Sequence, residues 1–127
     1  IAGAYAGVAA VHAMFDKPLF FASQHIRAGW PLIWSEVVAA FGLLLVVLNV
    51  SRSRPEGVAY AVGGYITAAY WFTASTSFAN PAVTLGRAAS DTFAGIRPDD
   101  VVGFIGAQAI GATLAVTLYA WLFRPER

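Results

Sequence analysis

Asn80-Pro81-Ala82-Val83-Thr84-Leu85-Gly86-Arg87 constrains this chain more than any other stretch. Asn80 suits a helix N-cap, because its side-chain oxygen can accept a free backbone N–H of the first turn. Pro81 then falls at the first helical position, where its missing N–H costs nothing. The apolar run after it gives out by Ser90-Asp91. About ten residues at ~1.5 Å each give ~15 Å, half of a ~30 Å hydrocarbon core. A helix that begins at mid-depth leaves its first N–H groups in the bilayer interior, where they must line a cavity or be buried in protein. Broken helices of this kind aim a positive dipole end at a path or a binding site.

The segments on either side make the membrane setting. Hydrophobic residues are 58% of the 127 and charged residues only 12%, a balance of membrane proteins. Residues 1–15 are apolar, too short to span, and carry Gly3 and Gly7 one turn apart as a small-residue helix contact. Residues 16–30 form a polar-aromatic loop with Lys17, His25 and Arg27. Spanning segments are expected over 31–50, broken only by Glu36, over 57–73 and over 101–123. Ser51 to Glu56 is a short basic turn, and Thr73 to Ser77 a polar, extended connection into the short helix at 80–90. The chain does not begin with Met and its first residues read as mid-helix, so a preceding part is expected. No signal peptide is visible.

Several functions find no residues to carry them. A net charge of +1 offers nothing to nucleic acid. There are no cysteines, hence no disulfide or thiolate metal site. His12 and His25 lack partners at ligand spacing and read as interfacial or solvated. No Ser/His/Asp set or close carboxylate pair is present; neither an enzyme nor a cofactor or metal is expected.

Asn-Pro-Ala followed by Val-Thr, placed between long uncharged spans, resembles the signature of the major intrinsic proteins, the aquaporin and glycerol-facilitator family. The likeness covers nearly the whole chain. It implies an all-α membrane protein, an aquaporin-like half or inverted-repeat unit: the end of a third helix, three transmembrane helices and one re-entrant half-helix. It also implies a multi-pass protein of the plasma or inner membrane, assembled as a homotetramer with one path per subunit, whose partners are the lipid bilayer, water and small neutral solutes. Lys and Arg counts barely favour a cytoplasmic Ser51 loop and C-terminus (Arg52, Arg54, Arg124, Arg127) over the side with Lys17, Arg27 and Arg97, plus Arg87 on the short helix; the resemblance gives the same orientation.

Residue by residue, the resemblance marks Asn80, Pro81 and Ala82 as the motif, with the Asn80 amide donating to a passing oxygen. The rival is a plain N-cap with no path beside it. The backbone carbonyls of Thr76, Ser77, Phe78 and Ala79 match an acceptor ladder; the rival is a packed connector. Glu36 matches a carboxylate that accepts N–H bonds from the re-entrant segment. A proton-relay role would need a second titratable group at similar depth. Gly103, Ala107, Gly111 and Ala115, with Gln108 among them, form a close-packing stripe expected to let the half-helix nest, and Gly63 and Gly64 serve the same end.

One departure matters. Most family members carry Arg three positions after this Asn, and position 83 is Val. Arg87 lies one turn (~5.4 Å) further along the same face. It either replaces the missing guanidinium or snorkels to the interface. Ala68 and Ser77 fall at two other filter positions by spacing. Ala68, Ser77 and Val83 together imply a wider, less charged filter, open to glycerol, urea-like molecules or undissociated metalloid acids, with Arg87 the fourth residue marked there. Three rivals stand beside this channel reading: a non-conducting structural member of the family, a broken-helix secondary transporter, and a half-size protein pairing with itself.

Overall fold

A computed structural model describes residues 1–123. Arg124 and Arg127, counted in the charge asymmetry above, lie outside the described residues. Five α-helices follow one another, and no strand occurs among the described residues: α1 (Ala2–Met14), α2 (Trp30–Ser53), α3 (Val58–Phe72), α4 (Pro81–Ala88) and α5 (Pro98–Leu122), with a 3-10 turn, Pro55–Gly57, between α2 and α3.

α2 and α5 have 24 and 25 residues and are apolar enough to cross a membrane. At ~1.5 Å per residue each exceeds the ~30 Å core. Only 28% and 33% of their apolar windows are buried within the chain, which leaves most of each apolar face to surroundings outside it. α3 has 15 residues and α4 has eight.

Helix boundaries follow local chemistry and differ from the sequence expectation by up to three residues. α2 starts one residue early, behind Gly29, whose φ of 105° is open to glycine alone at little cost. It runs three residues past Val50 because polar side chains fold back onto its own carbonyls: Asn49 Nδ2 donates to Leu45 O at 2.8 Å and Ser53 Oγ to Asn49 O at 3.1 Å. Pro55 then ends it, since the residue before a proline avoids the helical region; Arg54 has φ −149°. α5 starts at Pro98 rather than 101. Proline at the first position and Asp99 and Asp100 in the first turn make a helix start, where the sequence alone suggests a loop.

Small residues set how closely the long helices approach. A Cβ on Gly111 would strike the carbonyl oxygen of Val37 and come within 3.0 Å of Phe41 N and 3.1 Å of Ala40 Cβ. A Cβ on Gly103 would meet Ile33 Cδ1 at 3.1 Å. The two glycines of the α5 stripe therefore face α2, while Gln108 within the same stripe reaches Thr84 of α4 at 2.9 Å. Gly63 and Gly64 have nothing within 4 Å of a built Cβ, and neither do Gly3 and Gly7. The approach of α2 to α3 falls at Gly42, under the Tyr65 hydroxyl, which donates to Ala39 O at 3.0 Å. The approach of α1 to α4 falls at Gly86, where a Cβ would lie 3.1 Å from Ala4 Cβ.

Phe78, Ile96, Val101 and Phe104 form the buried cluster, with Leu32, Ile33 and Leu85 packed on it. Phe78 and Phe104 meet edge to face, their centroids 5.2 Å apart. The cluster lies beneath the loop 16–29 and the return 89–97. Ser23 N donates to Ala88 O at 2.9 Å and Arg97 N to His25 O at 2.8 Å, so the loop is tied across the end of α4 and the start of α5.

Candidate functional site

Within the connection Thr73–Asn80, Thr76 N donates to Thr73 O and Ser77 N to Ser75 Oγ, each at 3.2 Å; its other polar groups need outside partners. Glu36, fully buried on α2, accepts three hydrogen bonds from the connection and a fourth from α5. Its Oε1 accepts Ser75 Oγ at 2.6 Å and Phe78 N at 2.8 Å. Its Oε2 accepts Ala79 N at 2.9 Å and Gln108 Nε2 at 2.8 Å. Gln108 also reaches Thr84 Oγ1 at 2.9 Å, and Thr84 Oγ1 donates to Asn80 O at 2.9 Å. One carboxylate thus joins α2, the connection, α4 and α5.

The connection was expected to be extended, and it is not. Thr76, Ser77 and Ala79 have φ of 61°, 48° and 46°. Turning two successive amides, Phe78 N and Ala79 N, toward one carboxylate demands these left-handed residues, as in backbone nests that hold anions. Each non-glycine residue held there costs on the order of 1–3 kcal/mol, which the buried hydrogen bonds to Glu36 offset.

At the end of this strained run stands Asn80, in extended conformation. Its Oδ1 accepts Ala82 N at 2.9 Å and Val83 N at 3.4 Å. Asn80 and Pro81 are exposed, and Asn80 Nδ2 has no protein partner among the described residues. The first-turn amides of α4 are therefore capped on one side, while a donor is left facing outward.

The sequence-marked filter residues fall on different surfaces. Ala68 is exposed on α3 and Val83 half-buried on α4. Ser77 is buried, with its Oγ unpartnered. Arg87 lies one turn after Val83. Its guanidinium carbon sits 4.3 Å from the Phe78 ring centroid, a cation–π contact, and its Nη1 is buried without a partner. Val83 and Arg87 border a cavity of ≈ 550 Å³ between α1, α4 and the 92–94 return, walled otherwise mostly by apolar side chains such as Val8, Val11 and Phe93. Neither Asn80, Ala68 nor Ser77 is part of that wall.

Two residues carry more than the sequence indicated. His12 is not solvated. It is 2% exposed, with Nδ1 2.9 Å from Leu19 O and Nε2 2.8 Å from Ser90 Oγ. Its burial follows from the chain folding Leu19 back over α1, which no local pattern announces. Arg27, read only as a loop charge, is 5% exposed. Its Nε donates to Gly95 O at 2.7 Å, Nη1 to Ser75 O at 3.0 Å and Nη2 to Phe93 O at 3.0 Å. Burial pulls its pKa below the ordinary value, and Arg87 pushes the same way, against Glu36 and Tyr70; an arginine stays charged regardless. The signal for it in the sequence is faint: a lone Arg in an aromatic loop facing a segment rich in unpaired carbonyls.

Two helices of spanning length, with a third or less of each apolar window buried within the chain, fit a helical membrane protein. No family model matches the chain, and no solved structure does. A curated protein does: the chain is 54% identical over 128 aligned positions to Aquaglyceroporin AqpS of Rhizobium meliloti (strain 1021), a match covering 100% of this chain and 54% of that protein. The chain belongs to the major intrinsic protein family. It spans about half the length of the curated relative it matches.

Proposed function

We propose that this chain is the second structural half of a passive channel for small uncharged solutes, glycerol among them, in the plasma or inner membrane. In this reading α1 is the end of a third helix, α2, α3 and α5 are spans, and α4 is the re-entrant half-helix whose amino end faces the path. The carrying observation is the start of α4. Its amides are capped by Asn80, and the strained turn before it is held by the buried Glu36. A fixed start of this kind keeps backbone dipoles and one amide donor aimed at a single spot without reorganisation. The named relative, an aquaglyceroporin, supports a path for glycerol as well as water. Thr76 to Ala79 would offer carbonyls to hydroxyl-bearing solutes. Ala68, Ser77 and Val83 would leave a wider filter than an Arg at position 83 permits, and Arg87 would stand at its outer edge. Assembly as a homotetramer belongs to the same reading.

The test is stopped-flow light scattering on proteoliposomes of the full-length protein, comparing water with glycerol, urea and an undissociated metalloid acid. Neutral-solute flux well above empty vesicles is expected. Fast water flux with no solute flux would overturn the wide filter. No flux of any kind would favour a non-conducting member of the family.

A further inference from the structure

Position 83 leaves the first turn of α4 without charge, yet a buried guanidinium stands close by on another segment. Arg27 comes from the loop between α1 and α2 and binds three backbone carbonyls from three points of the chain: Ser75 just before the strained turn, and Phe93 and Gly95 in the return after α4. Its guanidinium carbon lies 4.8 Å from the centroid of the Phe78 ring, two residues before Asn80. Arg87 lies 4.3 Å from the same centroid. The two cationic carbons are therefore at most about 9 Å apart, close to the ~8–10 Å Debye length of physiological salt, and they act on nearby ions together. No carboxylate pairs with the Arg27 side chain among the described residues. Asp100 takes its backbone N–H at 2.8 Å and pairs with Arg97 instead. Glu36 is occupied by Ser75, Phe78, Ala79 and Gln108.

We propose that Arg27 is a specificity-determining residue of the path, a loop guanidinium that excludes cations in place of the charge absent at position 83. The inference rests on the channel reading above. A guanidinium in the filter itself would narrow the opening. One bound behind the lining acts by field alone, so cation exclusion is separated from pore width. Neutral solutes as large as a polyol then pass Ala68, Ser77 and Val83 while monovalent cations meet two guanidiniums, Arg27 and Arg87, set against the one carboxylate of Glu36. The same bonds take the carbonyls of Ser75, Phe93 and Gly95 out of use as cation ligands.

The experiment compares sodium conductance in planar bilayers with glycerol flux in proteoliposomes, for the full-length protein and its Arg27→Gln, Arg27→Lys and Val83→Arg variants. The parent should pass glycerol with no sodium current above background. Arg27→Gln should raise the sodium-to-glycerol ratio on the order of tenfold above the parent's background-limited value, the size expected for a unit charge acting over roughly 10 Å at an effective dielectric of ~20. Arg27→Lys, which keeps the charge but loses the planar fork, should stay near the parent ratio even if its glycerol flux changes. A structural clamp alone would make Lys and Gln alike. Val83→Arg, with Arg27 intact, should cut glycerol flux and leave sodium exclusion unchanged; it carries the test if Arg27→Gln does not fold. A parent that conducts sodium, a glycerol-conducting Arg27→Gln that still excludes it, or a Val83→Arg that lowers a sodium leak would each overturn the role of Arg27. Absence of glycerol flux in the parent would instead count against the channel reading itself.

Discussion

Replacing Glu36 with Gln tests the architecture at its most connected point. The two carboxylate oxygens take two donors each: Ser75 Oγ and Phe78 N on one, Ala79 N and Gln108 Nε2 on the other. Glutamine turns one oxygen into a donor. On the first side Ser75 can rotate its hydroxyl and accept, but Phe78 N–H cannot. On the other, Gln108 can flip its amide, but Ala79 N–H cannot. Either orientation leaves one backbone N–H facing a donor at a site with no exposure to solvent. A hydrogen bond to a charged group contributes ~1.5–3 kcal/mol and an unsatisfied buried donor costs ~1–3 kcal/mol. The sum, about 2.5–6 kcal/mol, falls on a turn already holding three strained residues. A loss of that size lowers the melting temperature of a protein of a few hundred residues by roughly 10 °C. Thermal unfolding of the full-length protein in detergent, followed by intrinsic fluorescence, measures it, and glycerol flux at a temperature below the transition shows whether the start of α4 has moved. The expected result is a transition near 10 °C lower and flux reduced several-fold in the surviving folded fraction. A variant melting within about 2 °C of the parent, with unchanged flux, would refute the claim that this carboxylate holds the connection in place.

Two further substitutions test separate parts of the structure. Gly111→Val puts a branched side chain against the Val37 carbonyl, where even a Cβ has no room; α2 and α5 must part, and a loss above ~3 kcal/mol should appear as failure to purify folded or as a transition lowered by more than 8 °C. Asn80→Ala removes the acceptor for Ala82 N and Val83 N, costing about 0.5–2 kcal/mol of stability; the larger expected effect is on selectivity, with proton leak in pH-gradient vesicles rising while glycerol flux falls less than tenfold.

The legible parts of the fold are those whose signal is local. Asn80-Pro81 announces a helix start because cap and proline act within one turn. Glu36 stands out because an ionisable group in an apolar run has to find partners. Pro98-Asp99-Asp100 is equally local, and its charges misled only because they suit a loop as well as a first turn. Less legible was the backbone of Thr76, Ser77 and Ala79. Left-handed conformations are usually marked by glycine or asparagine; here the conformation is imposed from another helix by a carboxylate some 40 residues earlier in the chain, and the residues' own preferences are overruled. His12 and Arg27 are the same case on the side-chain level: their partners, Ser90 and the carbonyls of Ser75, Phe93 and Gly95, lie far along the chain and carry no motif.

That distribution has a physical cause. Irregular backbone at membrane depth survives only where it lines a water-filled cavity or where groups from elsewhere in the protein satisfy it. The stretch that does the work is therefore short, polar and recognisable, while the groups that hold it are single side chains scattered over other segments: Glu36 from α2, Gln108 from α5, Arg27 from the loop between α1 and α2. In the proposed channel, valine in place of arginine at position 83 changes the lining by one residue and leaves this outer frame standing. Under the role proposed for Arg27, no motif position is needed, because a buried charge acts through its field over a distance that a hydrogen bond cannot cover. Position 83 can then be small and apolar while the proposed path keeps its positive end, and the conductance of Arg27→Gln is the measurement that decides it.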